Sequence, residues 1–402
     1  MPDREFDIVL YGATGFVGRQ AAEYLDAQRA KLSFAIAGRD EAKLESVRAG
    51  LKKRRNVGVI VADASDAKAL DAMAGRARVV LSTAGPFALY GDALVDACVR
   101  KKTHYTDITG ETPWVRALID RHHDRAAKES TRIIPFCGFD SVPSDLGTFL
   151  VVRRMQEKFG VPCRQVKAYF RMFGGFNGGT LASALNLQES GAAAKARDPF
   201  LLDPPGRHSM AEKKENRDPR TVQYDAEVGA WVGPFVMGPI NTRVVRRSAA
   251  LFAGWGEPYG AKFRYQEYTR YGGRVSAALV TGAMGLFGAA IASDRARAAL
   301  KLVLPKPGEG PSESTMDAGW FRTDLIATSE DGDTLRGRIS HQGDPGNRAT
   351  VRFVCESALA LALDGDDLPG GRKRGGVLTP ATGLGDALVE RLRRGGVEIE
   401  IE

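Results

Sequence analysis

Apolar runs of strand length alternate with helical stretches through residues 1–140. The runs contain few polar positions, which is typical of strands covered on both faces of a sheet. The alternation predicts an α/β fold that begins with a Rossmann-type, doubly wound parallel sheet. The predicted strands are Phe6–Tyr11, Ser33–Ala37, Val57–Val61, Val79–Thr83, Tyr105–Ile108 and Thr131–Phe136, and the predicted helices are Val17–Ala30, Glu41–Leu51, Ala67–Ala74, Ala93–Lys101 and Trp114–Ser130.

The regular alternation of strands and helices ends after Gly138, and the later pattern predicts a second domain of α+β type. We therefore place a nucleotide-binding domain at residues 1–140 and a substrate-binding or dimerisation domain at residues 141–344. The later predicted helices are Ser144–Lys158, Thr180–Lys195, Arg348–Leu363 and Asp386–Arg394, the predicted strands are Arg164–Met172, Asp317–Ser329 and Thr334–Ser340, and Asp198–Arg220 is expected to be irregular.

The segment Val275–Ser293 carries no charge over nineteen residues and is long enough to cross a membrane. Alanine and glycine dominate it, so few side chains would drive its insertion into a bilayer. This composition favours a buried helix or a helix at a subunit interface. A surface that docks on lipid or holds an acyl chain, and a membrane-spanning helix, are the alternatives.

Charge narrows the functional classes only a little. The chain has 402 residues, of which 57 are basic and 49 acidic, for a formal charge of +8. Basic clusters at Lys52–Arg55, Arg243–Arg247 and Arg372–Arg374 suit an anionic cofactor, an anionic lipid surface or plain solubility. None is interleaved with stacking aromatic residues, which argues against nucleic-acid binding.

The cysteines and histidines show neither disulfide nor metal-ligand spacing. Cys98, Cys137, Cys163 and Cys355 lie far apart, which predicts reduced thiols. The chain opens with charged residues and enters a strand directly, without the pattern of a signal peptide. We expect a cytoplasmic protein that binds no metal.

A strand, a glycine-rich turn and a helix follow one another near the N-terminus. A diphosphate must approach backbone N–H groups at a helix N-terminus, and a Cβ at Gly12 or Gly15 would obstruct it. Gly18 allows the helix to lie close to the strand, although the spacing is GxxGxxG instead of the commoner GxGxxG. The predicted dinucleotide-binding residues are Gly12, Ala13, Thr14, Gly15, Phe16, Val17 and Gly18.

The residues at the ends of the next strands indicate which dinucleotide binds. Arg39 stands where an NAD site usually has an acidic residue, and an arginine there can pair with the 2′-phosphate of NADP(H). The alternative is a solvated Arg39 followed by Asp40 as a helix cap. Asp63 either meets the adenine edge or caps its own loop. Small residues that leave room for the nicotinamide follow the fourth strand: Thr83, Ala84, Gly85 and Pro86, before Phe87.

These motifs, in this order, resemble those of the saccharopine dehydrogenase-like oxidoreductases. The resemblance spans nearly the whole chain and is more specific than any single motif. It is carried by Gly12–Gly18, Gly38–Arg39, Ala84–Phe87, His104–Glu111, Cys137–Gly147, Leu304–Pro311 and Gly376–Ala381.

Within that family the chain resembles the actinobacterial trans-acting enoyl reductases. The resemblance implies NADP-dependent hydride transfer to the β-carbon of an α,β-unsaturated acyl or polyketide thioester, with a proton added at the α-carbon. It implies a lipid-like or carrier-bound substrate, a polyketide synthase as partner, and a role in lipid biosynthesis. It further implies that residues 345–402 pack back on the first domain. A homodimer and peripheral contact with the inner membrane surface are further expectations, which do not rest on the resemblance.

Two other functions stay open at this point. A saccharopine-type amino-acid substrate would need cationic partners for its carboxylates. Arg243, Arg246 and Arg247 could supply them, but we expect an apolar-flanked strand that turns two of the three to solvent. The chain could also be a non-catalytic, lipid-associated protein that binds NADP.

No single pattern identifies the proton donor. A doubly wound sheet places its site in the loops that follow the strands, and a phenol in such a loop can act as a general acid. Ser141 or Ser144 as a helix cap, with Pro143 in the first turn, is the favoured alternative for the last of these loops. The weak candidates are Tyr90, Tyr105, Asp107, Asp140 and Ser141.

Overall fold

Two seven-stranded sheets form the framework of the protein. The computed structural model describes residues 4–53, 56–175, 177–306 and 308–402, so Arg54 and Arg55 of the first basic cluster and Pro307 of the family motif lie outside the described residues. In chain order the strands are β1 (Phe6–Tyr11), β2 (Phe34–Gly38), β3 (Gly58–Val61), β4 (Ala77–Ser82), β5 (His104–Asp107), β6 (Arg132–Ile134), β7 (Cys163–Phe173), β8 (Gln223–Asp225), β9 (Ala230–Pro234), β10 (Arg264–Tyr271), β11 (Trp320–Ser329), β12 (Thr334–Gln342), β13 (Gly376–Val377) and β14 (Glu398–Ile401).

Helices connect these strands and cover their faces. A π-helical turn at Pro345–Ala349 leads into the long C-terminal helix, and a 3₁₀ turn lies at Gly371–Lys373. The α-helices are α1 (Phe16–Asp26), α2 (Glu41–Gly50), α3 (Ala67–Arg76), α4 (Phe87–Tyr90), α5 (Asp92–Lys101), α6 (Thr112–Lys128), α7 (Val142–Phe159), α8 (Gly178–Glu189), α9 (Ala193–Ala196), α10 (Met210–Glu215), α11 (Gly238–Gly254), α12 (Arg274–Ala292), α13 (Asp294–Val303), α14 (Glu313–Ala318), α15 (Thr350–Leu363), α16 (Pro380–Gly383) and α17 (Gly385–Arg394).

The first sheet has the order β13-β6-β5-β4-β1-β2-β3, and each of its strand pairs is parallel. Its central strands are buried on both faces, which is why their sequences are continuous apolar runs. The chain order reverses between β1 and β4, and a doubly wound sheet binds its ligand at such a switch point. The predicted Rossmann-type sheet is confirmed.

The second sheet has the order β14-β12-β11-β7-β10-β9-β8. Only β7 and β10 pair in parallel, and the other strand pairs are antiparallel. Helix α7 packs on one face, where a Cβ at Gly147 would approach the Leu325 side chain to 2.9 Å. The predicted mixed second domain is confirmed.

The C-terminal part of the chain contributes to both sheets. Strand β13 extends the first sheet beside β6, whereas β14 extends the second sheet beside β12. Helix α15 packs against α1 and on strands β1, β4 and β5. Residues of both sheets therefore share one hydrophobic core with α15.

The prediction for Arg243–Arg247 was wrong. The segment is the middle of α11 instead of a strand, and all three arginines are buried instead of one. Each guanidinium donates to backbone carbonyl groups from other parts of the chain, and these hydrogen bonds offset its removal from water. The segment Asp198–Arg220, expected to be irregular, contains the short helix α10, which a Ser209 capping box begins.

The segment Val275–Ser293 is a helix, α12, but it is not buried as its composition favoured. Only Ala277 and Ile291 are buried, because the helix contacts β9, β10, α8 and α13 along one side alone. Among the described residues it is the one helix whose length and composition would suit a membrane span.

Candidate active site

The glycine-rich turn between β1 and α1 leaves no space for a side chain at Gly12 or Gly18. Gly12 has a φ of +87°, which favours glycine, and a Cβ there would lie 2.9 Å from the Ala84 nitrogen. A Cβ at Gly18 would lie 2.1 Å from the Gly12 oxygen. Gly15 is the N-cap of α1 and contributes no capping side chain. The backbone N–H groups at the start of α1 thus form a bare anion site.

Thr83 joins the end of β4 to the glycine turn. Its N–H donates to the Tyr11 oxygen at 2.9 Å, and its hydroxyl donates to the Gly12 oxygen at 3.2 Å. Ala84 lies against Gly12. The two segments predicted to bind the two halves of a dinucleotide are therefore neighbours at the switch point of the sheet.

Arg39 is exposed at the end of β2, and no carboxylate of the described residues lies within ion-pair distance of it. Asp40 caps α2 by accepting the Lys43 N–H at 3.0 Å. Asp63 accepts two hydrogen bonds from Ser65, which lower its pKa, with a smaller contribution from Arg39. Asp63 thus caps its own loop, close enough to Arg39 to interact with it, and the guanidinium stays available to an anionic ligand.

The second domain covers the glycine turn. A Cβ at Gly310 would lie 2.5 Å from the Phe16 ring, and Arg19 donates to the Gly308 oxygen at 3.4 Å. Gly178, at the start of α8, packs so closely on Lys306 that a Cβ there would lie 2.0 Å from its carbonyl oxygen. The segment around Gly308–Gly310, part of the family motif, therefore lies between α8 and the predicted diphosphate site.

Glu111 is a site residue to which the sequence assigned no role. It is buried after β5, and its carboxylate accepts the N–H groups of Phe87 at 2.8 Å and Ala88 at 3.0 Å, the start of α4. It also accepts the Ser183 hydroxyl, from α8, at 2.8 Å. The acidic residue directly after Gly110 was visible in the sequence, but its partners were not.

Tyr105 and Asp107 form a buried pair on β5. The Tyr105 hydroxyl donates to Asp107 at 2.9 Å, and the other carboxylate oxygen accepts the N–H groups of Thr109 and Phe136. Burial raises the pKa of Asp107 to about 7 despite these bonds. The Tyr105 phenol is thus directed into the core, and the Asp107 carboxylate joins β5 to the loop after β6.

Asp140 differs from the other buried carboxyl groups at this edge of the sheet. It lies after β6, is half-buried, and forms no side-chain hydrogen bond with the residues that the structure describes. Burial raises its pKa to about 7. Its carboxylate lies about 4.0 Å from the space that a Cβ at Gly110 would fill. Such a group suits a general acid near neutral pH.

The hydroxyls of Ser141 and Ser144 do not cap α7 as favoured above. Ser141 occupies the N-cap position, but its hydroxyl donates to Asn241 at 3.1 Å. The Ser144 hydroxyl donates to Glu267. A buried carboxylate without hydrogen-bond donors costs more free energy than an uncapped helix N-terminus, because its desolvation costs more. This explains why the Ser144 hydroxyl bonds to Glu267. Tyr90, at the end of α4, is 44% exposed.

Comparison with known proteins supports the resemblance seen in the motifs. Residues 8–134 match the saccharopine dehydrogenase NADP-binding domain family. A Mycobacterium tuberculosis protein provisionally named a trans-acting enoyl reductase is 41% identical, covering 99% of this chain and 97% of that protein. The trans-acting enoyl reductase of Mycobacterium leprae is 39% identical over 99% of this chain and 98% of its own length. The chain belongs to the saccharopine dehydrogenase-like oxidoreductase family.

The fold of the oxidoreductase is also that of the saccharopine dehydrogenase (L-Glu forming) of Saccharomyces cerevisiae. The TM-score is 0.55 over 98% of this chain and 99% of that one, at 14% sequence identity. At this identity the likeness concerns the fold alone. The cofactor of the oxidoreductase is NADP(H), and the bare glycine turn and the available Arg39 fit its diphosphate and its 2′-phosphate.

The individual contacts of the oxidoreductase with its cofactor stay predictions. The structure brings Gly12–Gly18, Thr83 and Ala84 together at the switch point, with Arg39 and Asp63 at the ends of β2 and β3. Gly85 lies nearer to the second domain, where its Cβ would be 3.7 Å from the Ser183 hydroxyl. Among the described residues, no group of three or more metal-binding side chains is placed to hold an ion.

Proposed function

We propose that this oxidoreductase reduces the α,β double bond of an unsaturated acyl thioester. The relatives named as trans-acting enoyl reductases align with it over almost their whole length, which supports the same reaction here. Bound NADPH would supply a hydride to the β-carbon of the thioester. The remaining chemistry, a proton at the α-carbon, falls to residues of this chain.

Asp140 is the residue that carries this proposal. Hydride addition at the β-carbon moves the double-bond electron pair toward the thioester carbonyl, and the α-carbon then takes a proton. The raised pKa of Asp140, about 7, keeps a substantial fraction of its carboxyl protonated at neutral pH. After transfer the carboxylate can regain a proton from solvent, because the side chain is only half-buried.

The surroundings of Asp140 suit an apolar substrate. Gly110 lies between Asp140 and Ile240, and a Cβ on that glycine would approach the Ile240 side chain to 2.9 Å. The acid is thus next to an aliphatic side chain from α11. Asp140 follows β6, and the nicotinamide is predicted at the turn after β4. One strand, β5, separates β6 from β4, so these two strands are about 10 Å apart.

The buried arginines of α11 do not favour an amino-acid substrate. Arg243 is 1% exposed and forms an ion pair with Asp218. Arg246 donates to the Pro199 and Tyr265 oxygens, and Arg247 contacts His123. Because these guanidinium groups are already bonded to other parts of the chain, they are not free to bind the carboxylates of a saccharopine-like molecule.

The source of the thioester is part of the same proposal. The names of the relatives describe trans-acting enzymes, and for this chain we infer a substrate delivered by a separate carrier, such as that of a polyketide synthase in lipid biosynthesis. A cytoplasmic location would give the oxidoreductase access to both NADPH and such a carrier.

The test uses the full chain with NADPH and a long-chain 2-enoyl thioester. We expect NADPH oxidation at 340 nm and, with NADPH deuterated at nicotinamide C4, one deuterium at the β-carbon of the saturated product. Turnover of amino acids instead of the thioester would establish the saccharopine-type alternative. Tight NADPH binding without turnover of either substrate would show that the chain is a non-catalytic nucleotide-binding protein.

A further inference from the structure

A cavity of about 260 Å³ lies at one end of strands β7, β9 and β10 of the second sheet. Cationic and aromatic side chains surround it. Tyr224, 57% exposed, stands at its solvent side. The lining includes Arg171, Arg270, Tyr224, Trp231, Tyr271 and Gly272. The predicted dinucleotide site is on the other sheet, so this cavity is separate from it.

The cavity concentrates positive charge that the described residues do not neutralise. Arg322 on β11 lies directly opposite Arg171 on β7. On β10, the other neighbour of β7, Thr269 is paired with Phe170. The next residue, Arg270, therefore lies beside Arg171, on the side away from Arg322. Like charges directly opposite one another on neighbouring strands are destabilising. Asp324 pairs with Arg322, whereas Arg171 and Arg270 have no carboxylate partner in the described part of the chain.

Two atoms at the cavity are buried donors without an acceptor. The Nε of Arg171 and the hydroxyl of Tyr271 are both shielded from solvent, and neither has a hydrogen-bond partner among the described residues. A buried donor without a partner costs free energy, and native structures seldom leave one unpaired. An anion with several oxygen atoms, such as a phosphate group, would satisfy both donors and the charge of the arginines.

Helix α12 begins at Arg274, two residues after Gly272 of the cavity lining, and the Arg274 guanidinium stacks over the Trp231 ring at 5.5 Å. Its buried residues Ala277 and Ile291 lie on one side. On the opposite side Val275, Leu279 and Leu286 are 73%, 69% and 76% exposed. We call these three side chains the outer face of α12. An aliphatic face this exposed indicates a partner.

We propose that the cavity and the outer face of α12 together bind an anionic phospholipid of a membrane surface. The phosphate of the headgroup occupies the cavity between Arg171 and Arg270, and the outer face enters the acyl region beside it. Helix α13 continues the contact with Leu302 and Val303, which are 84% and 77% exposed. The helix lies on the membrane in this arrangement and does not span it, since its other side packs on the second sheet.

The charges at the ends of this surface favour lipid over a second copy of the chain. Arg274 stands at one end of α12, and the exposed Arg295 follows the other end. Beside Arg295, Asp294 and Glu189 form ion pairs with Arg297 and Lys301, so Arg295 leaves this end positive. Whether two copies paired their helices parallel or antiparallel, a basic end would meet a basic end. Anionic headgroups instead neutralise the positive charge at both ends.

The test is flotation of the full chain with vesicles of phosphatidylglycerol mixed with phosphatidylcholine, and with vesicles of phosphatidylcholine alone. We expect binding to the anionic vesicles. The double variant Arg171→Gln/Arg270→Gln should bind them about thirtyfold more weakly. Arg164→Gln, an exposed charge on the same strand, is the matched control and should bind as the unchanged chain does. NADPH affinity should be the same in all three, which shows that the variants are folded.

A second pair of variants examines the outer face. Leu279→Ser/Leu286→Ser should lose vesicle binding, whereas Met210→Ser, equally exposed but remote from α12 in sequence, should retain it. Unchanged binding by the double arginine variant would overturn the phosphate site. Absence of vesicle binding together with a dimer that Leu279→Ser/Leu286→Ser dissociates would overturn the lipid surface in favour of a subunit interface. Neither result would affect the proposed reductase activity, which is measured with a soluble thioester.

Discussion

Ser183 donates a hydrogen bond of 2.8 Å to Glu111 and thereby ties α8 of the second domain to the sheet of the first. The same carboxylate holds the start of α4 through the N–H groups of Phe87 and Ala88. One buried side chain thus positions both the turn after β4, where the nicotinamide is predicted, and the helix that covers it.

Removal of the Ser183 hydroxyl should loosen α8 without unfolding the protein. For Ser183→Ala we expect the KM for the acyl thioester to rise up to about tenfold, since a hydrogen bond to a charged group contributes roughly that much. NADPH affinity should change little. The control is Ser190→Ala at the residue that follows α8, because among the described residues the Ser190 hydroxyl donates to the Leu187 oxygen alone. Equal effects of the two substitutions would show that the bond to Glu111 has no special role.

Asp140→Asn should lower kcat by about 10²- to 10⁴-fold, the usual contribution of a general acid, while NADPH still binds. The pH profile provides a second readout. Because the acid must be protonated, the rate of the unchanged enzyme should fall as pH rises through about 7. The residual rate of Asp140→Asn should lack this fall. A variant that keeps both the rate and the profile would mean that another group donates the proton.

The parts of the fold that follow from local burial could be predicted from the sequence. Strand β1 has the bounds that its apolar run predicts, because two-sided burial requires an apolar residue at nearly every position. The glycine turn was predictable for a related reason. Its short contacts join Gly18 to Gly12, which is near in sequence, and Gly12 to Ala84, which directly follows the neighbouring strand β4.

The rest depends on contacts between distant segments. The pattern at Arg243–Arg247 predicts a partly solvated strand, but carbonyl groups near Pro199 accept hydrogen bonds from Arg243 and Arg246. The Val377 oxygen accepts one from Arg247, and these bonds offset the cost of burying the three side chains. The Glu111 carboxylate is bound by Ser183, 72 residues away in the sequence. The outward side of α12 has the same composition as a buried helix, so only its packing could reveal it.

Gly18→Ala should abolish NADPH binding or destabilise the first domain. The added Cβ would lie 2.1 Å from the Gly12 oxygen, so the glycine turn or α1 must move. Gly50→Ala is the control, because it also lies in a helix and its Cβ would meet no atom within 4 Å. Titration of NADPH fluorescence and thermal unfolding would check both. Normal affinity and stability in Gly18→Ala would contradict the tight packing of this turn.

Arg39→Gln should weaken NADPH binding by about 10- to 100-fold, the range expected when a charged hydrogen-bond partner of a phosphate is lost. NADH has no 2′-phosphate, so its affinity should stay the same or rise. Arg29→Gln removes another exposed charge from the first domain and serves as the control. A parallel loss of affinity for both nucleotides would assign Arg39 to a part of the cofactor that the two share.

Glu267 makes the stability of the protein depend on pH. It is buried on β10, where it accepts hydrogen bonds from Ser144, Tyr265 and Asn241, and burial raises its pKa from 4.5 to about 7. The folded state therefore holds a proton that the unfolded chain releases above its ordinary pKa. The resulting stability is present in full below pH 4.5 and is lost as pH rises through about 7.

Glu267→Gln should remove this part of the pH dependence. Between pH 5 and 8 the free energy of unfolding of the unchanged protein should fall more steeply than that of the variant, by up to about 3 kcal/mol. Asp107, Asp140 and Asp145, whose pKa values burial also raises to about 7, leave a remaining slope in both. Urea unfolding at a series of pH values measures the difference, and the exposed Glu257→Gln should follow the unchanged protein. Parallel curves for Glu267→Gln and the unchanged protein would mean that Glu267 is ionised in the folded state.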